Sequence, residues 1–410
     1  MSGSIDTMEF THLGTGEMFG NPYPRYAHLR RSAPVSKIKA PLMFRGTGYM
    51  LTRYEDVQML HSDPRFSTDA IKYGDAGKLT WVMPGTMKLL LETMVFKDDP
   101  DHKRLRNLVH KAFTPKLVAT MADDIQRIAS ELVDRLAEKR DVDLVDDFAV
   151  RLPLAVIATM LGVNDADRDK FHDWCHRLSQ SAGGGLFGVL RNVRTGRRLM
   201  QFFQHLADEG RLHPDEGLIS QLVRANDDGD KLSEREIVAM IFLLLLAGHD
   251  TTANLIGASV LSLLDHPDEL AKLRANPDLI DGGIEELLRY TSPVPCGGTR
   301  IALEDVEISG TRIPKGGQIL GMIISANRDE TVFEDPDTLD LSRKPNRHIA
   351  FAFGTHYCLG HQLARLEGGT ALKTLLKRFD NWEITVPRSE LRYKPIVSLR
   401  GLNSLPMRVS

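Results

Sequence analysis

Apolar residues recur at i, i+3, i+4 and i+7 through most of the chain, the pattern of amphipathic helices. The spacing predicts helices over 100–112, 117–138, 151–161, 233–264, 278–290 and 359–378. Strand signals are few. Gly48-Tyr-Met-Leu-Thr52 is a short β-like run, and Val306 to Pro314 alternates about Ser309-Gly310. Leu399 to Val409 has a Gly401-Leu-Asn-Ser turn between two short runs and reads as a hairpin. The expected fold is mainly α with a small β portion, drawn from about 30–65, 300–322 and 385–410. Without internal repeats or low-complexity linkers, residues 1–410 read as a single domain.

The longest predicted helix begins at Ser233-x-x-Glu236, a capping box, and stops at Asp265-His-Pro267. Its length of roughly 48 Å crosses a whole domain. Its apolar run, Ile237 to Ala247, is too short for a membrane span of roughly 20 residues, so the helix should be central and buried. Inside it the sequence turns to Ala247-Gly248-His249-Asp250-Thr251-Thr252. A mid-helix glycine costs about 1 kcal/mol relative to alanine, and a buried Asp costs more unless paired. The step could mark a local distortion where Gly248 permits close approach, Thr251 donates a hydrogen bond and Asp250 supplies protons. It reads equally as Thr251 bonding back to the Ala247 carbonyl and Asp250 paired with a neighbour.

Composition narrows the class. The chain has 42% apolar and 26% charged residues, as soluble globular proteins do, and a net charge of −3 gives no support to a nucleic-acid partner. Three cysteines, Cys175, Cys296 and Cys358, provide no disulfide framework and suggest a reducing compartment. The N-terminal residues have no basic or apolar leader pattern, so a cytoplasmic protein without a membrane partner is expected.

Phe351-Ala-Phe-Gly354-Thr-His356-Tyr-Cys358-Leu-Gly360 places one cysteine in a glycine-broken loop ahead of a helix carrying Leu359, Leu363 and Leu366. Unpaired N–H groups and the helix dipole favour a thiolate there, either a nucleophile or a metal ligand. Glu286-x-x-Arg289 puts two charges on one helix face, and by spacing alone reads as a solvated pair. Cys175 reads as structural.

Together these motifs identify a resemblance. Phe351-x-x-Gly354-x-His356-x-Cys358-x-Gly360 resembles the haem-binding loop of the cytochrome P450 family of haem-thiolate monooxygenases. Ala247-Gly248-x-Asp250-Thr251-Thr252 resembles its oxygen-activation motif, and Glu286-x-x-Arg289 its structural pair. Asn327-Arg-Asp329, Asp335-Pro336 and Arg343 look like the segment leading to the loop. With Asp63-Pro-Arg-Phe-Ser67 and Arg400-Gly-Leu, the likeness spans nearly the whole chain and is to the soluble bacterial type. Many bacterial members have glycine where this chain has Ala352, and alanine asks that position to avoid left-handed geometry.

The resemblance implies the cytochrome P450 fold, with haem b between the long central helix and the Cys358 loop with its following helix. It implies Cys358 as the axial ligand of haem iron, with the N–H groups of Leu359 and Gly360 tempering the sulfur. His102, Arg106, Arg300 and His356 would bind the haem propionates. Asp250 and Thr251 would deliver protons for dioxygen cleavage, and Glu286 and Arg289 would be structural. An apolar pocket would be lined by Trp81, Met83, Met94, Val95, Leu243, Leu244, Ala247, Gly248, Val294, Cys296, Gly297 and Leu402. Ser181 to Gly185 would lie in a flexible lid, near Arg191, Arg194, Arg197 and Arg198. The implied reaction inserts one oxygen atom from O2 into an apolar small molecule. Its NAD(P)H-derived electrons would come from an external ferredoxin and ferredoxin reductase. Lys103, Arg104, Lys111 and Arg365 would form the docking patch, and the chain would act as a monomer. Peroxide-driven or O2-independent haem chemistry, or haem-based sensing, are the alternatives.

Overall fold

The computed structural model describes residues 10–39, 47–74, 77, 81, 83, 85–181, 192–215, 217–227 and 229–410. Its axis is the helix Glu234–Asp265. The Ser233 side chain accepts from the Glu236 N–H, and the Glu236 carboxylate accepts from the Ser233 N–H at 2.8 Å, closing the expected capping box. This helix is the one among the described residues long and apolar enough to cross a membrane by length and composition, and 67% of its most apolar window is buried inside the protein. Helices Arg151–Met160 and Val193–Leu212 pack against it, as do Ile280–Thr291 and His361–Arg378.

Most expected helices are present, with instructive shifts. The helix expected over 117–138 is two, Pro115–Thr120 and Ala122–Lys139. Thr114 caps the first, and the Met121 N–H turns back to the Val118 carbonyl at 3.1 Å, a tighter turn that breaks the α ladder. The last long helix begins at His361, leaving Cys358 and Leu359 in the loop before it.

The main sheet runs in the order Phe10–Thr11, Val35–Lys39, Thr47–Leu51, Gln318–Gly321, Arg300–Ala302 and Phe66–Ser67. Gln318–Gly321 is parallel to Thr47–Leu51 and antiparallel to Arg300–Ala302. Val306–Ile308 and Thr311–Ile313 form the expected hairpin, with positive φ at both Ser309 and Gly310 as a tight two-residue turn requires. The β portion differs from the expected 30–65, 300–322 and 385–410. Tyr54–Ser62 is helical, because Glu55 and Asp56 open it and Val57 and Leu60 bury one face. Additional strands lie at Asp141–Asp143 and Trp382–Ile384.

Pro406–Val409 pairs with both of these strands, so Leu399 to Val409 is not the hairpin its turn residues suggest. Leu402 instead bridges to Tyr393. The turn between them seats on the central helix, where a Cβ at Gly401 would come 1.8 Å from the Asn254 amide oxygen.

Candidate functional site

The Cys358 loop is closed by its own backbone. The Cys358 N–H donates to the Phe351 carbonyl at 3.0 Å, and the Ala352 N–H to the Ile349 carbonyl at 2.9 Å. Closure forces Ala352 to φ 61°, so this alanine adopts the left-handed geometry that the sequence suggested it would avoid. Gly354 also has positive φ, and a Cβ there would lie 2.6 Å from the His61 carbonyl oxygen. The Gly360 backbone donates to the Cys358 sulfur, and Arg106 and Arg365 lower its pKa further. Cys358 is part-open to the cleft yet lies well below the protein surface, and burial outweighs these influences and raises its thiol pKa. The helix start therefore does not make a thiolate by itself. A bound metal ion would have to draw off the proton.

The polar step of the central helix sits on an open stripe. Leu244, Gly248 and Thr251 are half-buried and Ala247 is exposed, within a helix otherwise buried on most faces. Their i, i+3, i+4, i+7 spacing gives one face, so Leu244, Ala247 and Gly248 have the openness expected of pocket walls. The Thr251 hydroxyl donates to the Ala247 carbonyl at 2.7 Å, the local back-bond that was the alternative reading. Asp250 is buried. One of its carboxylate oxygens lies 3.8 Å from the His249 ring nitrogen Nε2 and 4.0 Å from Lys394 Nζ, across from the C-terminal turn.

Helix Asp101–Ala112 brings His102 and Arg106 to the Cys358 loop. The rings of His102 and His356 are 4.2 Å apart, and the Arg106 guanidinium donates to the Tyr357 carbonyl at 2.8 Å. Arg300 is buried on its strand, with Nη2 3.3 Å from Nδ1 of His61. His61 is the residue the sequence reading missed: it is 5% exposed, with no motif to mark it. Burial first, then Arg300, pushes His61 down to about 3 and His356 to about 2. Burial pushes Arg300 down to about 10. Asp99 faces His102 at 3.3 Å, and Asp98 acts on Arg300 from a distance while binding Thr68. The Nε2 atoms of His61 and His102 are buried without a hydrogen-bond partner among the described residues. So dense an array of donors fits a ligand with two carboxylates, as haem has.

Glu286 and Arg289 are not solvated. They are 1% and 0% exposed, joined by two hydrogen bonds of 2.7 and 2.8 Å. Arg289 also donates to the carbonyls of Asn327, Pro336 and Thr338. Glu286 accepts further from Asp340 N, Arg343 and Asn346. The pair thus holds the segment leading to the loop, where Asn327 takes the Ile349 N–H at 2.8 Å.

The remaining expected pocket residues scatter. Trp81 is 81% exposed, Val95 is exposed, and Met83 and Val294 are half-buried. Met94, Leu243 and Leu402 are absorbed in the main core. Cys296 turns away from the cleft to pack with Leu13, Met18, Tyr26 and Leu29, its thiol pushed up to about 12 by burial. Its neighbour Gly297 lies against the His61 ring. Cys175 is buried in the core, as a structural cysteine should be.

Of the expected docking cations, Arg104 is paired with Asp230 and Glu236. Arg365 is held by Glu285 at 2.5 Å and stacked 4.5 Å over Phe351. Lys103 and Lys111 are exposed. Residues 182–185 of the expected lid, and Arg191, lie outside the described residues.

A cysteine-bearing loop beside a buried cation array, with an open polar step in the longest helix, has the parts of a haem-thiolate protein. Comparison agrees. Residues 193–395 match the cytochrome P450 family. The chain is 38% identical over 400 residues to the polyketide biosynthesis cytochrome P450 PksS of Bacillus subtilis, covering 96% of this chain and 97% of PksS. The solved PksS structure superposes with a TM-score of 0.89, covering 98% of this chain and 100% of that one. Cytochrome P450 107B1 of Saccharopolyspora erythraea is 40% identical, covering 94% of each chain. P450BioI, solved in complex with an acyl carrier protein ligated to hexadec-9Z-enoic acid, is 35% identical with a TM-score of 0.85, covering 96% of this chain and 99% of that one. The chain belongs to the cytochrome P450 family. It is a haem-binding monooxygenase with the P450 fold, of a family whose bacterial members generally use redox partners and bind small-molecule substrates and O2.

Proposed function

We propose that residues 1–410 act as one monomeric, cytoplasmic P450 domain that oxygenates an apolar small molecule. Bound haem supplies the activation of O2 and the transfer of one oxygen atom. Electrons come from NAD(P)H through a ferredoxin and its reductase, with Lys103 and Lys111, both exposed, steering the carrier. Cys358 would ligate the haem iron, its sulfur tempered by the Gly360 N–H. His102, Arg106, Arg300 and His356, joined by His61, hold the propionates. The observation that carries this reading is the array of basic side chains, two arginines and three histidines, packed on the Cys358 loop.

On the other wall, Thr251 leaves its back-bond to Ala247 to present its hydroxyl to the cleft. Asp250 passes protons to it, with His249 and Lys394 beside the carboxylate. Apolar Leu244 and small Ala247 and Gly248 leave room for the substrate and give bulk water no partners there.

The test is the spectrum of the reduced, carbon-monoxide-bound protein. Thiolate ligation predicts a strongly red-shifted Soret band, absent from Cys358→Ala. A folded wild-type protein without that band, or a variant that keeps it, would refute the ligand assignment.

A further inference from the structure

We propose that Arg194, Arg197 and Arg198 form a docking face for an acidic carrier protein, which brings the substrate to the cleft as an acyl chain on a phosphopantetheine arm. This rests on the apolar-substrate reading above and adds to it how the substrate is delivered.

The three arginines stand at i, i+3 and i+4 in the first two turns of helix Val193–Leu212, and all are exposed. None has an ion-pair partner among the described residues. The surrounding surface behaves differently. On helix Asp165–Ser181, Arg168 pairs with Asp165, Lys170 with Asp167 and Arg177 with Asp173. At the far end of the arginines' own helix, Arg211 pairs with Asp208. A local excess of three positive charges therefore stands on a chain whose net charge is −3.

The folding of the helix gives no reason for this cluster. Cations near a helix N-terminus oppose the macrodipole. The first turn of this helix holds no acid, whereas Ala122–Lys139, Asp165–Ser181 and Glu234–Asp265 each open with two.

The face stands on a helix that packs against the central helix and against helix Gly85–Leu91. Gly196, between Arg194 and Arg197, is pressed on Thr86 of helix Gly85–Leu91, where a Cβ would come 2.5 Å from the threonine methyl. Farther along, Phe203 meets Phe242 of the central helix, their ring centroids 6.4 Å apart. Exposure decides the kind of partner. A small anion would need buried, converging donors, whereas a flat cationic face in solvent suits a large acidic surface, which it steers and orients. The acyl chain supplies the apolar part for the Leu244–Ala247 stripe.

The probe is a bacterial acyl carrier protein loaded with hexadecanoate, with free hexadecanoate as control. Both are titrated into the haem-loaded chain, reading carrier affinity by surface plasmon resonance and the low-to-high spin shift of the haem. R194E/R197E/R198E should weaken carrier binding roughly 10- to 100-fold at low ionic strength and leave the response to free hexadecanoate unchanged. Wild-type affinity should fall about 10-fold toward physiological salt, as exposed charges are screened. The glutamine triple variant, R194Q/R197Q/R198Q, should fall between, and it serves if charge reversal prevents folding. Equal carrier affinity in wild type and variants overturns the proposal. A wild-type protein that answers hexadecanoate but not its carrier-borne form overturns the docking face alone. One that binds neither also overturns it.

Discussion

Replacing Glu286 by glutamine tests how the Cys358 loop is held in place. The Glu286 carboxylate takes five N–H donors. Arg289 Nη2, Asp340 N and Arg343 Nε reach Oε1, while Arg289 Nε and Asn346 Nδ2 reach Oε2. Glutamine keeps the shape but offers one acceptor. Placing its NH2 at the less crowded Oε2 position still sets donor against donor at Arg289 Nε and Asn346 Nδ2. Each orphaned donor costs about 1–3 kcal/mol. The buried Arg289 charge also loses its counter-ion, so the sum falls in the range of about 3–5 kcal/mol for breaking a buried pair. For 410 residues the unfolding entropy is roughly 0.9 kcal/mol/K, which converts the loss to a Tm drop of roughly 3–6 °C.

The damage should reach the loop, because Arg289 donates to the Asn327 carbonyl and the Asn327 side chain accepts from Ile349, two residues before Phe351. Calorimetry of the haem-loaded protein reads the first effect, and the rate of haem transfer to an acceptor protein reads the second. Glu286→Gln should melt lower and release haem faster. A Tm within about 1 °C of wild type with unchanged haem release would refute the reasoning, since the pair would then behave as a solvated i,i+3 contact.

Three further outcomes follow from the same contacts. Thr251→Ala, which removes the hydroxyl now bonded to Ala247, should uncouple NAD(P)H consumption from product and release peroxide; unchanged coupling would remove Thr251 from proton delivery. Glu367 is fully buried and burial raises its pKa to about 8, so stability falls as pH rises from 4.5 toward 8. Glu367→Gln should then be more stable than wild type by about 3 kcal/mol at pH 7 and equal to it near pH 4.5, checked by urea unfolding at both values. His61 has the opposite sign: its folded pKa of about 3 lies below the unfolded value of 6.5, so the unfolded chain takes the proton first and stability falls as pH drops below 6.5. Haem-free wild type should lose about 1.4 kcal/mol more than haem-free His61→Asn for each pH unit below that point, and equal slopes would exclude His61 as the titrating group.

What was legible in the sequence was local. The Ser233–Glu236 cap, the Ser309–Gly310 turn and the 3.6-residue periods are decided by residues within one or two turns of each other. The rest was set by partners far along the chain. Glu286-x-x-Arg289 has the same spacing whether exposed or buried, and only carbonyls from Asn327 to Thr338 distinguish the two. Cys296 and Gly297 are neighbours in an irregular segment, where one packs in the N-terminal cluster and the other lies against His61. Helical periodicity could not say which. His61 sits on an ordinary short helix and matters only because Arg300, from a strand far along the chain, lies against it.

These long-range contacts bring basic side chains together. His61 comes from helix Tyr54–Ser62, His102 and Arg106 from Asp101–Ala112, Arg300 from a central strand and His356 from the Cys358 loop. Burial first, then Arg300, lowers His61 and His356, and burial lowers His102, with Asp99 opposing and Arg106 adding to it. Hydrophobic burial on the flanking elements must offset the cost of taking these basic groups out of water in the haem-free chain. A ligand with two carboxylates gives them the partners that burial removed. Because it binds the folded state alone, it stabilises by mass action as its concentration exceeds Kd. The cofactor is therefore part of what makes this arrangement of helices favourable, and the charges that make the empty chain acid-sensitive are those that would select a dianion.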